Sequence, residues 1–264
     1  MTRPPRVPAE VAAAWTSPGC WNPAAPEFAA VANGVSLLMP HIEPYFVRST
    51  RAVLDDLEPT VADEARAYMS QELAHQREHR DFNALLVGQL PRLALVERFA
   101  AWAYGRLERS RSPQFNLAFA AGSETIAYSI ARWTHDHQRD VMTGAEPAAA
   151  AVFWWHLAEE VEHKSVAFDV HRTYRGTRRY YSRAMLVSLG ILAVTTTMSV
   201  LIQLAAQRRL FHPVAWWRLT RMAVSFVFEL GPTMAASALP GHHPSQLADP
   251  MLFASSLREL RQAS

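Results

Sequence analysis

Apolar residues recur along most of this chain at three- and four-residue spacing, with little strict alternation, and that period predicts about seven helices and no convincing strand. Proline punctuates the pattern. Residues 1–26 carry no apolar period and several prolines, so they are expected to form an irregular arm over the domain. The first helical stretch runs over about 27–57, and Pro40 and Pro44 interrupt it around Glu43, where each removes a backbone donor and forces a kink. Pro59 fits the first turn of a long helix over about 59–90. A shorter helix near 93–109 follows, and Pro113 opens one over 113–137. Gly144 and Pro147 separate that element from a helix over 147–174. Two strongly apolar helices over about 177–211 and 213–237, parted at Pro213, precede a tail over 240–264.

Composition agrees with a single helical domain over 27–239. The chain has 264 residues, near the upper limit for one core, half of them are apolar, and only 10 are glycine. The fold class expected is all-α. Neither a G-x-G-x-x-G nor a P-loop pattern occurs, so nucleotide binding is not indicated. Net charge is +2, and the near-total use of arginine over lysine reads as compositional bias, with no nucleic acid expected as a partner. The lone Cys20 has no internal disulfide partner, and the N-terminus lacks the apolar stretch of a signal peptide, so a cytoplasmic location is expected.

The chemistry lies in two clusters at helical spacing, Glu72-x-x-His75 and His156-x-x-x-Glu160-x-x-His163, with isolated glutamates at Glu43 and Glu124 ahead of each. At about 100° per residue, Glu72 and His75 share a face, His156 and His163 lie within about 20° of each other, and Glu160 falls about 40° from the first of them. Two glutamates from two helices, with a Glu-x-x-His from each of two others, form the ligand inventory of a two-metal site in a ferritin-like four-helix bundle. Carboxylate and imidazole suit iron, manganese or zinc, and no thiolate set favours a softer metal. The plain competitor is that a Glu-x-x-His on an exposed helix is only a solvated face; two of them, each with a spare glutamate, favour the metal reading. Glu124 sits among Ala121, Ile126, Ala127 and Ile130, where an unpaired carboxylate is costly to bury. Glu159 and Glu160 lie at about the same angle from the two histidines, so geometry does not separate them, although the Glu-x-x-His spacing favours Glu160. His79, on the face of Glu72 and His75, is expected to support a ligand from behind. Asp81, Asp136 and Asp169 are candidates to accept the outer N–H of a ligating imidazole, Asp169 in particular. Glu162 and Lys164 are expected to be solvated.

The blocks LLMPHIEPYF around Glu43, QELAHQREHRDFN over 71–83, SETIAYSIARW over 123–133 and WWHLAEEVEHKSVAFDVH over 154–171 resemble the bacterial predicted metal-dependent hydrolases, a ferritin-like group. The ligand order is also similar to that of the di-iron N-oxygenases acting on aminobenzoates. Pro40-His41-Ile42-Glu43 departs from the Pro-x-Gly-Glu of the family segment. Carried over position by position, the resemblance implies metal ligation by Glu43, Glu72, His75, Glu124, His156, Glu160 and His163, and favours Glu160 over Glu159. It implies a ferritin-like four-helix bundle with additional C-terminal helices.

The function expected is a di-iron, O2-dependent oxidation of a small apolar or aromatic substrate, with two iron ions as cofactor, manganese or zinc as substitutes, and an external electron donor. A hydrolase using a metal-activated water is the alternative, and a non-catalytic iron-binding protein a further one. The uncharged stretch 184–206 is long enough to cross a bilayer, which takes about 20 residues, yet it holds several hydroxyls and Gln203. Burial against the bundle is the favoured reading, with peripheral membrane association or insertion as the alternative. A homodimer is compatible with the pattern.

Overall fold

The computed structural model describes residues 6–15, 17–248 and 250. The protein is all-α, with no strand among the described residues. Its elements are α1 (Ala9–Ala13), α2 (Pro26–Ser36), α3 (Met39–Arg51), α4 (Pro59–Gln89), α5 (Ala94–Ser110), α6 (Pro113–Asp136), α7 (Gln138–Val141), α8 (Pro147–His163), α9 (Val166–Thr173), α10 (Arg178–Ala206) and α11 (Pro213–Ser237). Proline is the first residue of α2, α4, α6, α8 and α11, where its missing N–H is one that a first turn leaves unbonded anyway. Ser112 caps α6 by accepting from the Phe115 amide at 3.3 Å. Glu146 caps α8 by accepting from the Ala148 and Ala149 amides at 2.9 and 2.8 Å, where its charge also favours the helix N-terminus.

Four helices, α3, α4, α6 and α8, enclose the interior that holds the glutamates and histidines; α3 packs along α4, and α6 against α8 and α9. The helix expected over 27–57 is two helices, joined through Leu37 and Leu38, because Pro40 cannot donate to the Ser36 carbonyl. That carbonyl accepts from Asn83 Nδ2 on α4 at 2.9 Å instead. Pro44 stays inside α3. The helix expected over 147–174 is likewise split at Lys164 and Ser165 into α8 and α9. The arm is not irregular throughout, since α1 forms within it, and Arg6 reaches Glu78 of α4 at 3.1 Å. Its first five residues, Thr16, Asp249 and the tail over 251–264 lie outside the described residues.

The element expected over 177–211 ends at Ala206. Arg208 takes a left-handed backbone (φ 57°), its amide bonds Ala205 O at 3.1 Å, and the Arg209 amide bonds Leu204 O at 2.7 Å. That pair of bonds is a Schellman stop, with arginine where glycine is usual. Burial against the bundle, the favoured expectation for 184–206, holds for one face of this helix, and 28 % of its most apolar window is buried. α10 packs on α2 and α6 with its polar residues inward. Ser188 bonds Ser123 at 2.8 Å, Ser199 and Gln203 both donate to the Ala30 carbonyl, and Asn33 Nδ2 donates to Gln203 Oε1 at 2.7 Å. The backbones approach closely at two glycines. A Cβ on Gly34 would lie 2.8 Å from Thr196 Cα, and one on Gly122 2.9 Å from Met185 Cβ. Leu186, Val194 and Leu201 face outward.

Candidate metal centre

α3 brings Glu43, α4 brings Glu72, His75 and His79, α6 brings Glu124, and α8 brings His156, Glu160 and His163. All eight are buried, with between 0 and 8 % of their surface exposed. Glu160 Oε1 is the hub: it lies 2.9 Å from His156 Nε2, 3.5 Å from His75 Nδ1 and 3.8 Å from His163 Nδ1. His163 Nδ1 is 2.9 Å from Glu72 Oε1, and His156 Nε2 is 3.9 Å from Glu43 Oε1. Two sets of potential donor atoms result, each within 4.8 Å: Glu72, His75, Glu160 and His163, and Glu43, His75 and His156. Opposite ligands of one ion at about 2.1 Å are separated by roughly 4.2 Å, so both sets are near the size of a coordination sphere. His75 belongs to both sets. Glu124, the seventh residue of the expected group, stands beside them: its Oε1 accepts from the Tyr68 hydroxyl at 2.7 Å and its Oε2 has no hydrogen-bond partner.

Outer partners aim the imidazoles. His75 Nε2–H donates to Glu159 Oε2 at 2.9 Å, which leaves Nδ1 as a lone pair towards Glu160. The two neighbouring glutamates thus divide, Glu160 facing the interior of the cluster and Glu159 the outer edge of His75. His163 Nε2–H donates to Gln71 Oε1 at 3.1 Å. Behind His156 runs a relay. Ser36 Oγ–H donates to Asn83 Oδ1 at 2.7 Å, so Ser36 accepts from His79 Nδ1–H at 2.8 Å. His79 Nε2 in turn accepts from His156 Nδ1–H at 2.5 Å, and His156 Nε2 is left facing Glu160 and Glu43. The relay is anchored by the Ser36 carbonyl that Pro40 frees and Asn83 takes up. His79 therefore stands behind His156.

The aspartates expected in that role have other partners. Asp169 accepts from His243 Nε2 at 2.8 Å, Asp81 pairs with Arg6 and Asp136 with His135. Each lies where its helix turns outward, whereas the outer nitrogens of the cluster face other parts of α2, α4 and α8. Glu159, Gln71, Ser36 and Asn83 serve instead. Gln71, beside Glu72, and Glu159, beside Glu160, were adjacent to the motifs; Ser36 carried no comparable signal. Lys164, expected in solvent, is buried, with Nζ donating to Leu247 O at 2.9 Å and lying 5.4 Å from the Tyr128 ring centre. Glu162 is exposed.

Four carboxylates in so small a dry space repel one another. Burial first, and then the neighbouring carboxylates, push Glu43 and Glu124 well above the ordinary range, and burial pushes Glu72 up as well. Burial also acts to raise Glu160, but the close approach of His156 and His163 outweighs it and holds that carboxyl well below. Burial would lower His163, yet the approach of Glu160 and Glu72 takes it well above its usual range. Burial, then the charge of His156, keeps His75 and His79 well below theirs. Both oxygens of Glu43 and of Glu72, Glu124 Oε2, His75 Nδ1 and His163 Nδ1 lack a hydrogen-bond partner. Buried polar atoms are ordinarily satisfied. Atoms of this chemistry converging without partners fit divalent cations, which would neutralise the carboxylates and use the lone pairs. A cavity of about 70 Å³ opens beside them, lined by Glu43, Glu72, His156 and Glu160, by Ser123 and Ser188, and by apolar residues that include Val35, Phe46, Ile126 and Leu192.

Residues 7–248 match a family described as predicted metal-dependent hydrolase. No curated protein and no solved structure matches the chain.

Proposed function

The chain belongs to the predicted metal-dependent hydrolase family, and from that premise we propose that it is a two-metal enzyme of ferritin-like architecture that oxidises an apolar organic substrate with O2. The observation that carries this reading is the convergence of buried, unpartnered glutamate oxygens and imidazole nitrogens from four helices beside a cavity whose remaining lining is mostly apolar. Glu72, Glu160 and His163 would hold one ion and Glu43 and His156 the other, with the single inward nitrogen of His75 able to serve one of them and Glu124 close enough to complete either set. Iron is the metal proposed, and when bound it supplies O2 activation with electrons from an external donor. The protein's own part is positional. Glu159, Gln71 and the Ser36–His79 relay fix which nitrogen of each histidine faces inward, and Val35, Phe46, Ile126 and Leu192 exclude bulk water.

Hydrolysis is the second reading, and the family description favours it: the same ions would lower the pKa of a bound water and polarise a carbonyl. No arginine or lysine lines the cavity, so a phosphoester or free carboxylate has no counter-ion there and a neutral ester is the substrate left to that reading. Loading the protein anaerobically with ferrous iron and admitting O2 tests the two. Oxidation predicts O2 uptake that His75→Ala abolishes. No uptake, together with cleavage of a neutral aryl ester by the zinc-loaded protein, would transfer the assignment to hydrolysis.

A further inference from the structure

Between α10 and α11 lies a groove of about 520 Å³, floored by α2, α6 and α8. We infer that it binds a hydrocarbon chain, the alkyl or isoprenoid tail of an amphiphile, and directs the end of that chain to the metal centre. This deepens the proposed function and rests on it for the destination, though not for the groove. The volume lies within the roughly 300–1,000 Å³ of ordinary ligand sites. No charged residue lines it, and its only hydroxyls are those of Thr134, Thr196 and Thr197. Thr196 Oγ1 donates to Leu192 O at 2.7 Å, the Trp133 N–H is taken by Ser225 Oγ and that of Trp216 by Leu210 O. What the walls offer an occupant is almost wholly hydrocarbon. The polar inward turn of α10 has the same consequence, since it commits Ser188, Ser199 and Gln203 to the bundle and leaves apolar side chains for the groove.

Two further features select a chain over a compact ligand. Val35, Ile130, Leu157 and Leu192 wall both the groove and the 70 Å³ cavity, so the two spaces adjoin, and the second is bounded by Glu43, Glu72, His156 and Glu160. At its outer end the lips are exposed and apolar: Ala193, Thr197 and Leu201 on α10, Trp216, Ala223 and Val227 on α11. Leu186, Val194, Trp217 and Phe228 extend this surface. A tail can therefore enter lengthwise from a free amphiphile or from a bilayer lying against the lips.

Titrating the full chain with dansyl-labelled undecanoate tests the inference. One saturable, blue-shifted site is expected, displaced by dodecanol and weakened at least about tenfold by Ala223→Trp or Thr197→Trp, which fill the groove from exposed positions. Bound metal is counted in the same samples. Normal metal content with no saturable probe site, or with one that both tryptophans leave unchanged, overturns the groove. Probe binding in a chain that takes up no metal upholds the groove and removes the metal function instead. Flotation with phosphatidylcholine and phosphatidylglycerol vesicles assigns the source: co-flotation points to bilayer lipid, and its absence with the probe site intact to a free amphiphile. A dimer that Thr197→Trp splits and that the probe cannot enter would mean that a second copy covers the groove, and the inference fails.

Discussion

Glu43→Met should stabilise the metal-free protein while crippling its response to metal. Glu43 is buried with neither oxygen hydrogen-bonded, and burial together with Glu72, Glu160 and Glu124 raises its pKa well above 4.5. The cost of that carboxyl to the metal-free fold is capped by proton uptake, at about 1.4 kcal/mol for each pH unit above the ordinary value, or about 3 kcal/mol at pH 7. Methionine has similar volume and would lie in a lining that includes Leu38, Ile42 and Phe46. Removing the cost should raise Tm, by at most about 6–12 °C at roughly 2–4 °C per kcal/mol. Bound metal reverses the order, because wild type gains about 4 kcal/mol at a thousandfold excess over Kd and the variant, one donor short, gains less. The pH dependence has a definite sign. A carboxyl held above its ordinary value keeps a proton in the fold that the unfolded chain has released, so its contribution to stability falls as pH rises from about 4.5 through the folded value. His75 and His79, held low, act in the opposite sense, their contribution present above 6.5 and lost as pH falls below it. The carboxylate effect is therefore read between pH 6.5 and 8, where metal-free wild type should lose stability with rising pH more steeply than Glu43→Met. Thermal and urea unfolding in chelator and in excess metal measure all of this. A metal-free variant that melts below wild type at pH 7.5, or an undiminished metal-induced shift, would refute the reasoning.

Three further outcomes follow from the geometry. His75→Ala and Glu43→Gln should each lose one ion, because the single inward nitrogen of His75 can serve only one ion at a time and Glu43 belongs to one donor set; elemental analysis after dialysis distinguishes two, one and none. Ser36→Ala removes the acceptor that holds His79 Nδ1–H, and with it the orientation of His156; metal affinity should fall about 10- to 100-fold and stability by about 1–3 kcal/mol, read by metal titration and by unfolding. Gly122→Ala should destabilise by about 1–3 kcal/mol, since its Cβ meets the backbone of Met185, while Gly190→Ala in α10, with open space around it, should stabilise by about 0.5–1 kcal/mol; denaturant midpoints compare the two.

The ligand-bearing residues were legible because a helix imposes a local period. Glu72 with His75, and His156 with Glu160 and His163, share faces whatever the surrounding fold, and an apolar setting around Glu124 marked a carboxylate that needed a reason to be buried. Which residue stands behind each imidazole depends on how helices are turned towards each other, and no period encodes that. Asp169 was a fair candidate by spacing yet meets His243, while Ser36 enters through a carbonyl that Pro40 leaves unbonded. The two prolines were read as a kink; the break falls earlier, at Leu37 and Leu38, because the bond Pro40 lacks is the one running back four residues, while Pro44 stays within α3.

α10 shows the converse, a signal present in the chain but outweighed. Burial against the bundle was the favoured reading without saying which face is buried, yet Ser188, Thr195, Ser199 and Gln203 recur at seven, four and four residues, which is one face of a helix. On a soluble surface that face would point outward. Here it points inward, against α2 and α6, where Gly34 and Gly122 let the backbones close and the hydroxyls and amides bond one another. Small and polar residues inside with hydrocarbon outside is the packing of helices whose surroundings are apolar. The same inversion leaves mainly apolar side chains of α10 for the groove, and Val35, Ile130, Leu157 and Leu192 line both that groove and the cavity beside the cluster. The inferred amphiphile would use both features, whereas a substrate arriving through water would require neither.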